Sequence, residues 1–430
     1  MKKYRIETLG CKVNQYETQA IEEILKKIDY TSAEEGEEAD VCIINTCTVT
    51  HTGDRKSRQW ISRLKRENPD ANIVVMGCYA QVAADELETR PDVDLLIGSK
   101  NKEELPHYLE CLERGEGPIN AVTPMDNRSA FADLTVTETH EKTRATLKVQ
   151  DGCSQFCSYC IIPYARGPVR SRDFEEVRTE LKVMAEKGFK EVVLTGIHLA
   201  SYGIDTEKET LIDVIRLAQE TEGIERIRLS SLEPGIITEE FMDAVKDMDK
   251  LCDHFHLSLQ SGSDSVLERM NRKYTTTQYK AAIDRIRAVY PHAGITTDII
   301  CGFPGESEEE WKETMEFVKT IGFSRIHSFN YSPRKHTPAQ KMPGQVLPDV
   351  KKARHQELTA LAKKMEADFF NRQIGREVDV LVEEEISTGV FSGYTTNYIP
   401  VHIEGNLAHN EIVTVTLLEN QGDFIKYNSN

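Results

Sequence analysis

Short apolar runs alternate with helical stretches along most of this 430-residue chain, and that alternation restricts the fold more than any other feature. Val41-Cys42-Ile43-Ile44 and Ile73-Val74-Val75-Met76 are too short for buried helices. Wholly apolar strands separated by helices of about 10–15 residues specify βαβ units, with a parallel sheet covered on both faces. In the first hundred residues strands are predicted at 4–9, 41–44, 73–76 and 93–97, with helices at 15–28 and 54–67. A second series predicts strands at 146–149, 191–195, 227–230, 254–259, 296–300 and 325–330. Its helices are predicted near 174–187, 210–220, 238–247, 263–289 and 307–320, with a long final helix over 348–372. Six βα repeats fall short of the eight of a closed barrel, so an open one is expected. Beyond 375, turn-punctuated strands at 378–382, 398–403 and 412–417 predict a small β-barrel. The fold class is α/β in four parts: an open parallel-sheet unit (1–114), a Gly- and Pro-bearing linker (115–140), a partial (β/α)6 barrel (141–372) and the β-barrel (373–430).

No run approaches the ~18 apolar residues of a membrane span, and Met1-Lys2-Lys3-Tyr4-Arg5 is followed by no apolar leader. The expectation is a soluble cytoplasmic protein with no membrane partner. In that compartment the ten cysteines are expected to be ligands, catalytic groups or buried small hydrophobes rather than disulfides. Cys11, Cys47 and Cys78 each fall one to three residues past a predicted parallel strand, so all three belong to the same sheet edge, where α/β sheets bind ligands. Cys42, Cys111, Cys252 and Cys301 are expected to be packing residues. Cys153, Cys157 and Cys160 form C-x3-C-x2-C in the loop after the first barrel strand, at the end where barrel enzymes place their active sites. Thiolates at this density bind zinc or an iron–sulfur cluster. A structural zinc wants four ligands, and no fourth Cys or His follows within ten residues.

With Tyr159 before its last cysteine, this motif resembles that of the radical S-adenosylmethionine (SAM) enzymes. The resemblance implies a [4Fe-4S] cluster on Cys153, Cys157 and Cys160, whose open iron binds SAM and whose electron cleaves it to a 5′-deoxyadenosyl radical. The three-part architecture further resembles the methylthiotransferases. Cys11, Cys47 and Cys78, in Gly-Cys-Lys-Val-Asn, Asn-Thr-Cys and Gly-Cys-Tyr, match the positions that hold a second [4Fe-4S] cluster in that family. The C-terminal segment matches its RNA-associated TRAM domain. Thr8-Leu9-Gly10-Cys11-Lys12-Val13-Asn14-Gln15-Tyr16-Glu17 and Leu194-Thr195-Gly196-Ile197-His198-Leu199-Ala200-Ser201-Tyr202-Gly203 are similar to the branch acting on threonylcarbamoyladenosine beside the tRNA anticodon. The resemblance implies two SAM per product, with all six cysteines as both metal ligands and catalytic residues. It also implies an electron donor of flavodoxin or ferredoxin type and a sulfur donor. The alternatives are methylthiolation of isopentenyladenosine in tRNA or of a ribosomal protein, or a non-catalytic, metal-stapled RNA-binding protein.

A SAM pocket is expected at the barrel-strand ends, from Tyr159, Gly196, Ser231, Glu233, Gln260, Arg269 and Asp298. Within it, Glu233 would hold ribose hydroxyls and Arg269 the methionine carboxylate. Net charge is −18, which argues against a nucleic-acid partner until its distribution is seen. Residues 55–66, 142–172 and 325–356 are basic islands. Arg166, Arg170, Arg172, Arg334 and Lys335 are therefore the candidates for contacts to the phosphates of a tRNA anticodon loop. The C-terminal barrel, with Arg376 and Lys426 against nine carboxylates, is a poor phosphate binder.

Overall fold

A computed structural model describes residues 2–126, 131–132, 134–136 and 143–427. The first unit is a six-stranded, wholly parallel sheet. In spatial order its strands are Tyr30–Ser32, Lys2–Thr8, Val41–Thr46, Asn72–Gly77, Leu95–Ile97 and Ile119–Asn120. Every residue of Val41–Thr46 is buried, as a strand covered on both faces requires. The stretch read as a linker is partly structural. Ile119–Asn120 supplies the sixth strand, and Leu134 and Val136 are buried against the same core. The boundary expected at residue 141 lies outside the described residues.

In the second unit, Arg144–Asp151, Glu191–Gly196 and Arg226–Leu229 run parallel in one sheet, with His254–His256, Gly294–Cys301 and Arg325–Asn330 parallel in another. Parallel bridges at Ile227–Leu251 and Leu232–Leu257 join the two, so the six expected strands follow one another around an open barrel. One expectation fails here. The helix predicted over 263–289 is two helices, Asp264–Arg269 and Thr276–Val289. Asn271 takes a left-handed conformation at φ 59°, and Thr275 with Gln278 forms a capping box that starts the second helix afresh. The break matters for the site described below.

The C-terminal unit is a closed five-stranded barrel of Glu377–Ser387, Val390–Thr395, Pro400–Glu404, Ile425–Tyr427 and Ile412–Asn420 in spatial order. It docks at the amino ends of the central strands. Arg228 donates to Thr395 O and Thr396 O and pairs with Glu191, Arg144 pairs with Glu383, and the Tyr398 ring stacks on His254. Among the described residues no helix is long and apolar enough to cross a membrane.

Candidate functional site

Strand register brings the first three cysteines together. Thr8 pairs with Asn45 and Thr46 with Gly77, so the residues just beyond these strands, Cys11, Cys47 and Cys78, leave the sheet side by side. Gly10 makes the closeness possible. It sits at φ +106°, and a Cβ there would stand 2.8 Å from Cys47 Cβ. Cys11 N-caps the helix Lys12–Lys27 without using its thiol as a cap. Burial and, next to it, the charge of neighbouring thiols raise two of them: Cys78 acts on Cys11, and Cys78 and Cys11 act on Cys47, which is pushed up to about 11.

The second trio is local. Gly152 begins its loop at φ +71°, where a Cβ would lie 1.8 Å from Pro168 O. Phe156 follows at φ 48°, so the loop folds back on itself between Cys153 and Cys157. Asn271, at the helix break, donates to Phe156 O at 2.9 Å, and Ser158 donates to Arg269 O at 2.8 Å. Burial raises Cys153 to about 11 and Cys160 to about 12. Thiols held this far above neutrality are protonated until a metal displaces the proton.

The edge carrying the first trio covers the carboxyl mouth of the barrel. On one side Arg166, six residues past Cys160, donates from Nε to Cys78 Sγ at 3.2 Å. On the other, beyond the sixth strand, Arg334 pairs with Asp54 at 2.7 Å, and His51 N donates to Ser332 Oγ at 3.1 Å.

Among the expected SAM contacts, Tyr159 is half-buried, edge-on to Phe303 at 6.5 Å. Gly196 lies against Gln150, whose Oε1 would be 2.8 Å from an added Cβ and accepts from His198 N. Glu233 reaches His198 Nε2 at 3.3 Å and Arg272 at 3.1 Å. The histidine and Arg272 hold its carboxyl below the usual range against the opposing effect of burial. Gln260 has φ 67° and exchanges backbone hydrogen bonds with Asp298 O and Ile300 N. Asp298 Oδ2 lies 3.3 Å from His256 Nε2. Ser231 is exposed, whereas Ser230 Oγ is buried with no hydrogen-bond partner among the described residues.

Arg269, expected at the methionine carboxylate, pairs bidentately with Glu310 and donates to Gly305 O. The cation at the thiols is Arg272, delivered by the helix break, with Nη1 donating to Cys157 Sγ at 3.3 Å. Of the five residues expected to contact phosphates, Arg166, Arg170, Arg172 and Arg334 are buried and engaged with Glu17, Asp151, Glu180 and Asp54 respectively. Lys335 is exposed, as are Arg55, Lys56 and Arg66 of the helix His51–Glu67. The four remaining cysteines are buried as packing residues.

The donor sets fit iron–sulfur clusters. Each is three soft thiols with an arginine N–H on one sulfur. Among the described residues no group of three or more His, Cys, Asp or Glu is placed to hold a metal ion.

Residues 147–318 match the Radical SAM superfamily, and residues 3–98 match the uncharacterized protein family UPF0004. The sequence is 40% identical to threonylcarbamoyladenosine tRNA methylthiotransferase MtaB of Bacillus subtilis, over 97% of this chain and 95% of that protein. It is 41% identical to MtaB of Aquifex aeolicus, over 96% and 100%. To tRNA-2-methylthio-N(6)-dimethylallyladenosine synthase of Pelotomaculum thermopropionicum it is 36% identical, over 90% and 88%. Its fold is similar to that of TsrM from Kitasatospora setae, a radical SAM methyltransferase solved with cobalamin and a [4Fe-4S] cluster, with TM-score 0.58 and 13% identity over 79% of this chain and 77% of that one.

Proposed function

The chain belongs to the tRNA methylthiotransferase family of radical SAM enzymes, and from that membership we propose that it adds a methylthio group to N6-threonylcarbamoyladenosine next to the anticodon. The substrate rests on the relatives' names and on the Gly10-Cys11-Lys12-Val13-Asn14 wording. The observation that carries the chemistry is the Arg166 bond to Cys78, which sets the edge bearing the first trio against the helix that follows the second. In this reading Cys153, Cys157 and Cys160 hold one [4Fe-4S] cluster and Cys11, Cys47 and Cys78 another, and two SAM are consumed per product.

The target is an aromatic C–H, beyond the reach of acid–base side chains, so the reactivity comes from the cofactors. When bound, the barrel cluster with SAM supplies a hydrogen-abstracting radical, and the second cluster carries the sulfur. The protein's residues bind, orient and shield. Gln150 bridges Asp151 O, Gly152 O and His198 N and so sets the root of the cysteine loop against the next strand. Arg272 spans Cys157 and Glu233, fixing a carboxylate at the SAM pocket. Tyr159, Gly196, Ser231, Gln260 and Asp298 complete that pocket. Lys335 with Arg55 and Lys56 offers phosphates an exposed basic rim beside the mouth. The assigned domains are 1–114, 141–372 and 373–430, with 115–140 as the linker, of which Ile119–Asn120, Leu134 and Val136 pack on the first unit. The protein works in the cytoplasm with an electron donor of flavodoxin or ferredoxin type and a sulfur donor.

Mass spectrometry of tRNA nucleosides from a strain lacking the protein tests the substrate. The methylthio mark on threonylcarbamoyladenosine should vanish, leave the parent nucleoside and return on complementation. Retention of that mark, or loss of the mark on isopentenyladenosine instead, overturns the assignment.

A further inference from the structure

A group of charges lies buried between the first sheet and the barrel. Glu17 comes from the helix that Cys11 caps and Lys102 from the same unit, while Lys148, Asp151, Arg166 and Arg170 come from the barrel and its cysteine loop. All six are buried. Lys102 pairs with Glu17. Lys148 reaches Glu17 at 3.0 Å and Asp151 at 2.7 Å. Arg170 lies 3.5 Å from Asp151. Arg166 uses its whole guanidinium: Nη1 donates to Glu17 and Asp151, Nη2 to Asn14 and Glu17, and Nε to Cys78 Sγ. Four cations thus face two carboxylates. Uncompensated buried charge is costly, and among the described residues the thiol this group touches is Cys78 of the first trio, through Arg166. A cluster on three thiolates is net negative and gains another negative charge on one-electron reduction, and its potential is set by nearby charge and by hydrogen bonds to its sulfurs.

We propose that Arg166 is a positioning residue for the cluster held by Cys11, Cys47 and Cys78. Its N–H bond to Cys78 and the excess positive charge of the Glu17–Lys102–Lys148–Asp151–Arg170 group raise that cluster's reduction potential relative to a thiolate site without them. The same guanidinium ties this cluster to the loop bearing the other one. Arg272 does for Cys157 what Arg166 does for Cys78, so each trio has its own tuning arginine. This inference rests on the proposed reading of Cys11, Cys47 and Cys78 as cluster ligands.

The test is an EPR-monitored potentiometric titration, with dithionite as reductant, of the reconstituted full-length chain. It is repeated in a background with Cys153, Cys157 and Cys160 changed to Ala, which assigns the signals. Arg166→Lys, which keeps the charge but loses the directed N–H, is expected to make reduction of the first-trio cluster about tenfold less favourable, or ~59 mV lower for one electron. Lys102→Gln removes a buried positive charge and should shift the potential down; Glu17→Gln removes a negative one and should shift it up. Opposite signs from two neighbours in one ion pair are not what a purely structural role gives, and they decide the matter if Arg166→Lys does not fold. Unmoved potentials, or shifts of one sign, with iron retained, overturn the inference alone. Absence of iron from Cys11, Cys47 and Cys78 in the wild-type chain overturns the reading beneath it.

Discussion

The two cysteine trios are assembled by opposite routes. Cys153, Cys157 and Cys160 are neighbours in sequence, and their geometry is held by local backbone devices: Gly152 at φ +71°, Phe156 at φ 48° and the Asn271 bond to Phe156 O. Cys11, Cys47 and Cys78 are far apart in the chain and meet only because three parallel strands share a register. A local loop can be lost or kept by itself, whereas a trio built on register stands or falls with the sheet beneath it. The difference has consequences that experiments can break or sharpen.

The largest effect separates the two chemically. Cys157→Ala should abolish release of 5′-deoxyadenosine from SAM, a loss of 10³-fold or more on the order expected for removing the cofactor that carries the chemistry. Cys47→Ala should leave that release within about tenfold of wild type while abolishing the methylthio product. Chromatography with mass detection of both products from one incubation checks this, and equal losses of both activities in both variants would erase the distinction. Next in size are the glycines. Gly152→Ala should destabilise the barrel unit by on the order of 3 kcal/mol, because the left-handed backbone and Pro168 O both oppose a side chain. Gly188→Ala, at φ +83° with nothing within 4 Å, should cost only about 1 kcal/mol. Denaturant melts of the two variants give the comparison directly.

A smaller effect concerns the seam between the units. Tyr16 donates to Leu134 O at 2.7 Å and lies 3.1 Å from Glu180 of the barrel, which also pairs with Arg172. Tyr16→Phe should lower stability by about 1–2 kcal/mol, read in the same melts. The smallest concerns pH in the iron-free protein. Burial raises Cys47 and Cys153 from 9.0 to about 11, so the folded chain keeps protons that the unfolded chain has released. That contribution is intact below pH 9 and is lost as pH rises towards 11. The iron-free protein should weaken over that window, and a triple variant with Ala at Cys11, Cys47 and Cys78 should weaken less.

What the sequence revealed follows the same division. The C-x3-C-x2-C loop is legible because its function is packed into eight residues. The meeting of the first trio is legible too, since residues ending parallel strands emerge at one edge. Arg272 is not legible, because an unbroken amphipathic pattern hides the interruption at Asn271, which depends on that side chain's bond to the cysteine loop. The burial of the arginines is not legible for a related reason. A basic cluster in sequence looks solvated, yet Arg166, Arg170 and Arg172 follow a loop that the first unit covers, and Glu17, the partner of Arg166, comes from a distant segment. The linker reads as punctuation because Ile119–Asn120 is too short to show a pattern, although the neighbouring strand completes it.

Iron and sulfide analysis of anaerobically reconstituted protein tests the central claim most directly. About eight iron and eight sulfide are expected per wild-type chain, and about four of each when either trio is replaced by alanine. A wild-type chain holding only about four iron, all lost when Cys153, Cys157 and Cys160 are replaced and none when Cys11, Cys47 and Cys78 are, would contradict it.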